Sequence, residues 1–219
     1  QEGARQGGCA MSYKSVAAPC EREKVIEKSR FLTYAAHTAG EEEARAFLAS
    51  VRAQHPLATH VCYAFIADRL GNLQRFSDDG EPQGTAGMPI LNVIKAQELY
   101  ETTVAVVRYF GGIKLGAGGL TRAYSSCAAE ALSAAEKCLY DVCAEYCIRV
   151  GYPEVNALTR FLEGRCVIVN RAFEADAAFT VQVREGEAAD FCAALSDRLN
   201  GKVQIFAQSK YFSPFPLEK

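Results

Sequence analysis

The chain has 219 residues, of which 49% are hydrophobic and 23% are charged, a composition typical of a globular protein in water. No apolar run approaches the roughly 20 residues that a membrane-spanning helix needs, so we expect no membrane segment. The net charge of −2 provides no long-range attraction to phosphate groups, so any contact with nucleic acid must come from a local patch. The nine cysteines include no Cys-x-x-Cys pair, which indicates core thiols in the reducing cytoplasm rather than disulfides or a metal site.

The first part of the chain has the pattern of a mixed α+β domain. Residues 1–12 are rich in Gly and Gln and are interpreted as a tag remnant or a disordered tail. Short, partly alternating apolar segments then predict strands, and a run of Glu followed by apolar residues at helical spacing predicts a helix. In chain order, this part contains predicted strands at 13–17, 21–26 and 31–37, a helix between Gly40 and Pro56, and strands at 60–67 and 73–76.

A polar loop at 77–87 separates these elements from a predicted helix at 88–99, in whose first turn Pro89 is tolerated. The segment 102–109 is rich in β-branched residues and nearly all apolar, which is typical of a central strand. Five glycines follow within residues 111–119, and a long helix is predicted at 120–137.

The pattern changes near residue 140, where we predict a domain boundary. Beyond it the sequence predicts a strand at 142–150, a helix at 153–164, strands at 166–171 and 179–184, a helix at 187–199 and a strand at 203–211. The order β-α-β-β-α-β is that of a ferredoxin-like unit. We therefore predict an α+β protein with an α+β domain at 13–139, a ferredoxin-like domain at 140–212 and a C-terminal tail at 213–219.

The loop at 77–87, with the sequence SDDGEPQGTAG, places three carboxylates within four residues. Asp78, Asp79 and Glu81 could share a divalent cation, hold a basic partner, or serve as acid and base. The same residues suit an ordinary surface turn, because Asp bonds to nearby backbone N–H groups. A calcium EF-hand is excluded, since its ligand spacing is missing, and no histidine accompanies the motif as a base.

The second candidate segment, RYFGGIKLGAGGLTR at 108–122, runs from a strand through a glycine-rich turn into a helix. This order can bind phosphate, because glycine lets backbone N–H groups converge and a helix N-terminus favours an anion. Lys114 and Arg122 add positive charge beside it. The P-loop pattern fails, because Ala117 and Gly118 stand where Lys and Ser/Thr should follow, and a dinucleotide motif lacks its third glycine. An anion-binding turn and close packing of glycines under the helix both stay open.

Taken together, the two segments resemble the signature of the IMPACT/YigZ family. The strings S-D-D-G-E-P-x-G-T-A-G and R-Y-F-G-G-x-K-L-G-x-G-G-L-x-R-A-Y occur in this order between Ser77 and Tyr124. The wider resemblance spans about residues 13–212. It implies an N-terminal ribosomal-protein-S5-domain-2-like domain, also similar to domain IV of elongation factor G. It further implies a C-terminal domain similar to the ferredoxin-like domain V of that factor.

The resemblance also implies a role linked to translation. Eukaryotic members act through an amino-acid-starvation kinase pathway, but that role is not expected here, because the partner-binding domain preceding the IMPACT domain in those members is not in this sequence. The family supplies no established catalytic residues. We therefore expect a cytoplasmic binding protein rather than an enzyme, with no cofactor and with RNA, the ribosome or translation factors as partners.

The candidate binding residues all lie in the two segments. They are Asp78, Asp79, Glu81, Thr85, Arg108, Gly111, Gly112, Lys114, Gly116, Gly118, Gly119 and Arg122. Two alternatives stay open. One is a metal-assisted enzyme acting on a phosphorylated or nucleotide substrate, with the three acids holding a divalent cation. The other is a protein-interaction scaffold whose surface the two segments shape.

Overall fold

The structure, a computed structural model, describes residues 12–217. The predicted N-terminal tail up to residue 11 and the last two residues of the predicted C-terminal tail lie outside the described residues. The chain forms two compact units. The N-terminal unit comprises Tyr13–Leu139 with residues 215–217, and the C-terminal unit comprises Tyr140–Pro214.

The N-terminal unit is an antiparallel sheet with helices on both faces. Its elements are β1 (Tyr13–Val16), β2 (Cys20–Ile26), β3 (Ser29–His37), α1 (Gly40–Gln54), β4 (His60–Ile66), β5 (Gln74–Ser77), α2 (Gly87–Ala96), β6 (Thr102–Tyr109) and α3 (Gly116–Ala134). Five of the strands form one sheet in the order β2-β3-β6-β4-β5, and the neighbouring strands in it are antiparallel. The predicted central strand is β6.

Strand β6 shows how the sequence divides this core. Side chains alternate between the two faces of a strand, so Val104 and Val106 pack on one face with α2 and α3. Ala105 and Val107 pack on the other face with α1. Both faces are therefore buried, which accounts for the nearly unbroken apolar run. Arg108 has the same parity as Val104 and Val106, so its side chain enters the α2–α3 side of the core, where the residue is buried.

Helix α3 begins at Gly116, four residues before the predicted start at Leu120. Glycine has a low intrinsic helix propensity, so the pattern of the sequence alone places the start after the last glycine. Packing of Leu120, Ala123 and Tyr124 into the core holds the preceding turn in helical form. Within residues 12–217, no helix reaches the length and apolarity that crossing a bilayer takes.

The C-terminal unit confirms the predicted ferredoxin-like topology. Its elements are β7 (Lys137–Val150, whose first three residues belong to the N-terminal unit), α4 (Val155–Leu162), β8 (Val167–Phe173), β9 (Ala177–Arg184), α5 (Ala188–Arg198) and β10 (Gln204–Pro216, whose last two residues belong to the N-terminal unit). The strands lie in the order β10-β7-β9-β8, and both helices pack on one core that includes Ile148, Leu158, Phe179 and Leu195. Strand β10 extends to Pro216, so it includes part of the segment predicted as a C-terminal tail.

Gly111, in the turn after β6, is packed against the backbone of the β2–β3 turn. A Cβ atom at this position would lie 2.0 Å from the carbonyl carbon of Lys28, so Gly111→Ala forces the backbone to move. We expect it to lower the free energy of unfolding by roughly 1–3 kcal/mol, measured by urea denaturation.

Gly112→Ala is the matched control for this prediction. Gly112 has a φ of +85°, and a Cβ atom added there would meet no other atom within 4 Å. Only backbone strain therefore opposes the change, at a cost of about 1 kcal/mol. Equal effects of the two substitutions would show that the contact with Lys28 does not limit Gly111.

Candidate functional site

The Asp78 carboxylate organises the acidic loop and the start of α2. Its Oδ2 accepts a hydrogen bond from Gly84 N at 2.8 Å, and its Oδ1 accepts from Ala86 N and Gly87 N at 3.0 and 2.8 Å. Burial raises the pKa of Asp78, but the three N–H donors outweigh it and lower the pKa below its usual range. Asp78 thus closes the loop onto the first turn of α2.

The neighbouring Asp79 carboxylate connects the loop to α1 and β4. Arg52 Nη2 donates to its Oδ1 at 3.0 Å, and Val61 N donates to its Oδ2 at 2.7 Å. Burial raises the pKa of Asp79, but the Arg52 guanidinium and the Val61 N–H outweigh it and lower the pKa. The residue has a φ of +44°, which an Asp tolerates in a turn. The carboxylates of Asp78 and Asp79 therefore both bond to backbone N–H groups or an arginine of the same unit.

Thr85 has an equally local role in the same loop. Its side chain is buried, and its Oγ1 donates a hydrogen bond to the carbonyl oxygen of Pro82 at 2.6 Å. Within residues 12–217, no group of three or more His, Cys, Asp or Glu side chains is placed to hold a metal ion.

The third acid of the loop, Glu81, forms a buried ion pair with Arg108. Arg108 Nη1 lies 2.6 Å from Glu81 Oε1, and the side chains are 5% and 4% exposed, respectively. The same oxygen accepts a hydrogen bond from the Tyr124 hydroxyl at 2.8 Å, and His60 Nε2 lies 3.8 Å from Glu81 Oε2. Burial raises the pKa of Tyr124, so its hydroxyl stays protonated and donates to Glu81. The pair thus joins the acidic loop to β6 and α3.

Arg108 also holds the glycine turn. Ser29 Oγ accepts hydrogen bonds from Arg108 Nη2 and from Gly111 N, each at 3.2 Å. The Arg108 guanidinium carbon lies 5.4 Å from the centre of the Phe31 ring and 5.5 Å from that of Phe110, distances at which a cation is attracted to an aromatic face. The acidic loop and the glycine turn therefore meet at the Arg108 side chain, inside the unit.

Cys62 lies beside this cluster and is a hydrogen-bond donor. Its thiol donates to the carbonyl oxygen of Asp78 at 3.0 Å. Burial, with the nearby carboxylates, raises the pKa of the Cys62 thiol to about 12, so the thiolate is not formed near neutral pH.

The outer side of the glycine turn is an open groove with two exposed cations, Lys114 and Arg122. Its volume is about 590 Å³, and its lining combines apolar, basic and acidic side chains: Ile26, Glu27, Ile113, Lys114, Leu115, Gly119, Arg122, Ala123 and Ser126. We call this surface the glycine-turn groove. Among the described residues, neither Lys114 nor Arg122 has an ion-pair or hydrogen-bond partner for its side chain.

The glycines predicted as binding residues shape the edge of this groove. Gly112 and Gly116 have positive φ values of +85° and +68°, which fix the course of the turn into α3. Gly118 and Gly119 lie in the first turn of α3, where no side chain caps the helix. A Cβ atom at Gly118 would lie 3.7 Å from Arg122 Nη1, so the Arg122 side chain extends back over this glycine-lined turn.

Four residues outside the predicted set complete the site. Ser29, Arg52, His60 and Tyr124 bond directly to the predicted loop residues or to Arg108. One sequence signal could have indicated two of them, Ser29 and Tyr124: Arg108 lies in a strand predicted to be buried, and a buried guanidinium requires acidic and hydroxyl groups around it. The signal does not say which side chains supply them.

With this geometry in place, comparison with known proteins places the chain in a family. Residues 27–132 match the Impact N-terminal domain, and residues 148–202 match the domain of unknown function DUF1949. The IMPACT family member YigZ of Escherichia coli (strain K12) is 40% identical over 200 residues, with coverage of 90% of this chain and 98% of YigZ. The chain belongs to the IMPACT family.

Other IMPACT family members extend the similarity over most of the chain. The IMPACT family member in the pol 5'region of Thermus thermophilus is 45% identical over 183 residues, with coverage of 83% of this chain and 99% of the relative. A crystal structure of a hypothetical protein is 37% identical and covers 90% of this chain and 98% of its own, with a TM-score of 0.58. Membership of the IMPACT family implies a translation-related regulatory role.

Removing the charge of Glu81 should strongly destabilise the N-terminal unit. Glu81→Gln leaves the Arg108 guanidinium buried without a counter-charge, so we expect a loss of about 3 kcal/mol in the free energy of unfolding, measured by urea denaturation. Glu41→Gln, which breaks the more exposed pair with Arg45, should cost less than about 1 kcal/mol. A similar loss in both variants would contradict the central role of the buried pair.

The Asp78 carboxylate should make stability depend on acid pH. Because its pKa is lowered by folding, its stabilising effect is fully present above about pH 4 and is lost as the pH falls through the lowered value. Asp78→Asn should therefore lower the free energy of unfolding near pH 7 and have a smaller effect at about pH 2–3. Urea titrations across this range measure the difference, with exposed Asp190→Asn as control. An Asp78→Asn effect independent of pH would contradict the assignment.

Proposed function

We propose that this IMPACT-family protein is a translation-linked regulatory binding protein that contacts RNA, including RNA of the ribosome, through the glycine-turn groove. The observation that carries the proposal is that Lys114 and Arg122, beside an uncapped helix N-terminus, have no ion-pair or hydrogen-bond partner among the described residues. In this arrangement the cations and the backbone N–H groups of α3 favour the same kind of ligand, an anionic oxygen.

Within residues 12–217, Lys114 and Arg122 lack the carboxylate partners that three other arginines of the N-terminal unit have. Arg30 pairs with Glu23, Arg45 with Glu41, and Arg52 with Asp79. The charges of Lys114 and Arg122 are therefore available to an external ligand, which supports a local phosphate contact in a chain of net charge −2.

The glycines support the same ligand for a steric reason. Gly116, Gly118 and Gly119 present backbone without side chains in the first turn of α3, so a bulky phosphate can approach the N–H groups there. Arg122 extends over this turn and can donate to the same phosphate, since a guanidinium donates two parallel hydrogen bonds.

The three acids of the loop favour binding over metal-assisted catalysis. Asp78 bonds to three backbone N–H groups, Asp79 to Arg52 and Val61, and Glu81 to Arg108 and Tyr124. Each carboxylate is engaged in holding the loop, which makes it a poor candidate for a ligand shared with substrate. The acidic loop therefore supports the groove from within.

A second candidate function, a protein-interaction scaffold, is favoured by the apolar part of the same turn. Phe110 is 48% exposed and Ile113 is 37% exposed, and exposed aromatic and aliphatic side chains are typical of binding surfaces for proteins such as translation factors. Phe110 also suits RNA, because an exposed aromatic ring can stack on a base.

Lys114→Gln/Arg122→Gln should weaken RNA binding by removing two phosphate contacts. The measurement is the fluorescence anisotropy of a labelled single-stranded oligouridine of about 20 nucleotides, titrated between about 50 and 200 mM KCl. We expect the slope of log K against log salt to fall in magnitude by about 1.4, since each contact with a single strand contributes about 0.7. Co-sedimentation with ribosomes should fall in parallel.

The matched control is Arg75→Gln/Lys95→Gln, which removes the same charge from exposed positions that do not line the groove. Equal weakening in both variants would mean that only net charge matters and would overturn the role of the groove. Saturable binding of a translation factor that depends on Phe110 and Ile113, with no RNA binding at the lower salt concentration, would select the scaffold instead.

A further inference from the structure

The C-terminal unit carries a second basic surface, formed by three arginines at the ends of its two helices. A pocket of about 630 Å³ is lined by Arg160, Phe161, Arg165, Ala194, Asp197 and Arg198. We call it the arginine pocket. All three arginines are exposed, so their guanidinium groups can reach a ligand from solvent.

The position of the arginines follows from the helices that carry them. Arg160 lies in the last turn of α4 and Arg198 in the last turn of α5. A cation at a helix C-terminus is stabilised by the helix dipole. This stabilisation offsets part of the repulsion between the like charges of Arg160 and Arg198. Arg165 follows α4, and its guanidinium carbon lies 4.8 Å from the centre of the Phe161 ring, an interaction that orients it.

The arginine pocket brings three arginines together on one surface of the unit. Three other cations of the unit have carboxylate partners, namely Arg184 with Glu187, Lys202 with Glu154 and Lys210 with Glu185, whereas Arg149 and Arg171 lie over aromatic rings. In the described part of the chain, none of the three pocket arginines has an ion pair. Asp197 is the one acid in the lining, so the pocket keeps a local excess of positive charge.

The chemistry of the lining points to phosphate. Guanidinium groups match phosphate oxygens with paired hydrogen bonds, and they keep their charge at any physiological pH. A small-molecule site is usually enclosed and mostly apolar, whereas this pocket is lined mainly by exposed charged side chains. Phe161 is 7% exposed and so offers no free ring for stacking on a base. The lining therefore suits a polymer backbone read without regard to base sequence.

We propose that the arginine pocket is a second RNA contact, which binds the phosphodiester backbone of single-stranded RNA through Arg160, Arg165 and Arg198. The inference rests on the proposed function, because it assigns to the C-terminal unit the same class of ligand as the glycine-turn groove. It goes beyond that function in locating a phosphate-binding surface outside the two family motifs.

The test compares two charge-matched double variants in the oligouridine titration. Arg160→Gln/Arg198→Gln should reduce the magnitude of the salt slope by about 1.4, the value for two lost contacts. Lys202→Gln/Lys210→Gln removes the same charge from ion-paired positions and should leave the slope nearly unchanged. Arg160→Lys/Arg198→Lys keeps the charge and should retain the slope while binding more weakly, and it tests the pocket even if the Gln variant does not fold.

The outcomes separate this inference from the proposed function. A smaller slope of log K against log salt in the Arg160→Gln/Arg198→Gln variant alone supports the arginine pocket and overturns the role of the glycine-turn groove. Loss in the Lys114→Gln/Arg122→Gln variant alone overturns the arginine pocket and leaves the proposed function standing. Saturable binding of pyrophosphate without binding of oligouridine would assign the pocket to a small phosphorylated ligand and overturn its role in RNA binding.

Discussion

The buried ion pair between Glu81 and Arg108 is the interaction on which the loops of the N-terminal unit depend. Removing two such ions from water costs several kcal/mol for each ion, and their attraction offsets this cost only when further bonds satisfy both groups. Here the Tyr124 hydroxyl supplements the carboxylate, and Ser29 with two aromatic rings supplements the guanidinium. In residues 12–217 the Arg108 Nε has no hydrogen-bond partner, so part of the free-energy cost of removing the guanidinium from water is not offset. Its main effect is therefore to specify geometry.

That geometry determines how the charges of the two motifs are divided. The carboxylates of the acidic loop point to partners within the fold, and Arg108 joins the loop to the glycine turn through Ser29. With the turn held from inside, Lys114 and the first turn of α3 are presented on the outside. A turn fixed in this way loses little conformational entropy when it binds, which favours recognition of a ligand by a preorganised surface. The acidic residues thus hold the glycine turn in place from inside the unit, and the turn presents Lys114 and the start of α3 at the surface.

The fold follows from the sequence to a large extent, and the site does not. Periodicity predicts the strands and helices of both units, because burial on one face or both leaves a regular apolar pattern. The start of α3 at Gly116 does not follow from that pattern, because tertiary packing overrides the low helix propensity of Gly116, Gly118 and Gly119.

The partners of the loop acids could not be predicted for a different reason. Asp78 bonds to nearby backbone N–H groups, as the surface-turn alternative allows, but the choice of Gly84, Ala86 and Gly87 depends on the turn angles of the loop. The choice of Arg52 for Asp79 depends on how α1 packs beside the loop, which the local sequence does not specify. The spacing of the acids alone is equally compatible with a cation site, a turn or an acid–base pair. The position of Arg108 in a strand predicted to be central is the one feature of the sequence that calls for a buried acid nearby.

The neutral composition of the chain is compatible with phosphate binding for an electrostatic reason. At physiological ionic strength, charges on the surface are screened over about 8 Å, so acids elsewhere on the chain contribute little at a contact site. What matters is the balance within that distance, and both the glycine-turn groove and the arginine pocket contain cations without carboxylate partners among the described residues. A net charge of −2 removes long-range steering toward RNA but leaves short-range contacts intact. Association with RNA should therefore be modest in rate, and its strength should depend on how well the local cations of each site match the phosphate groups.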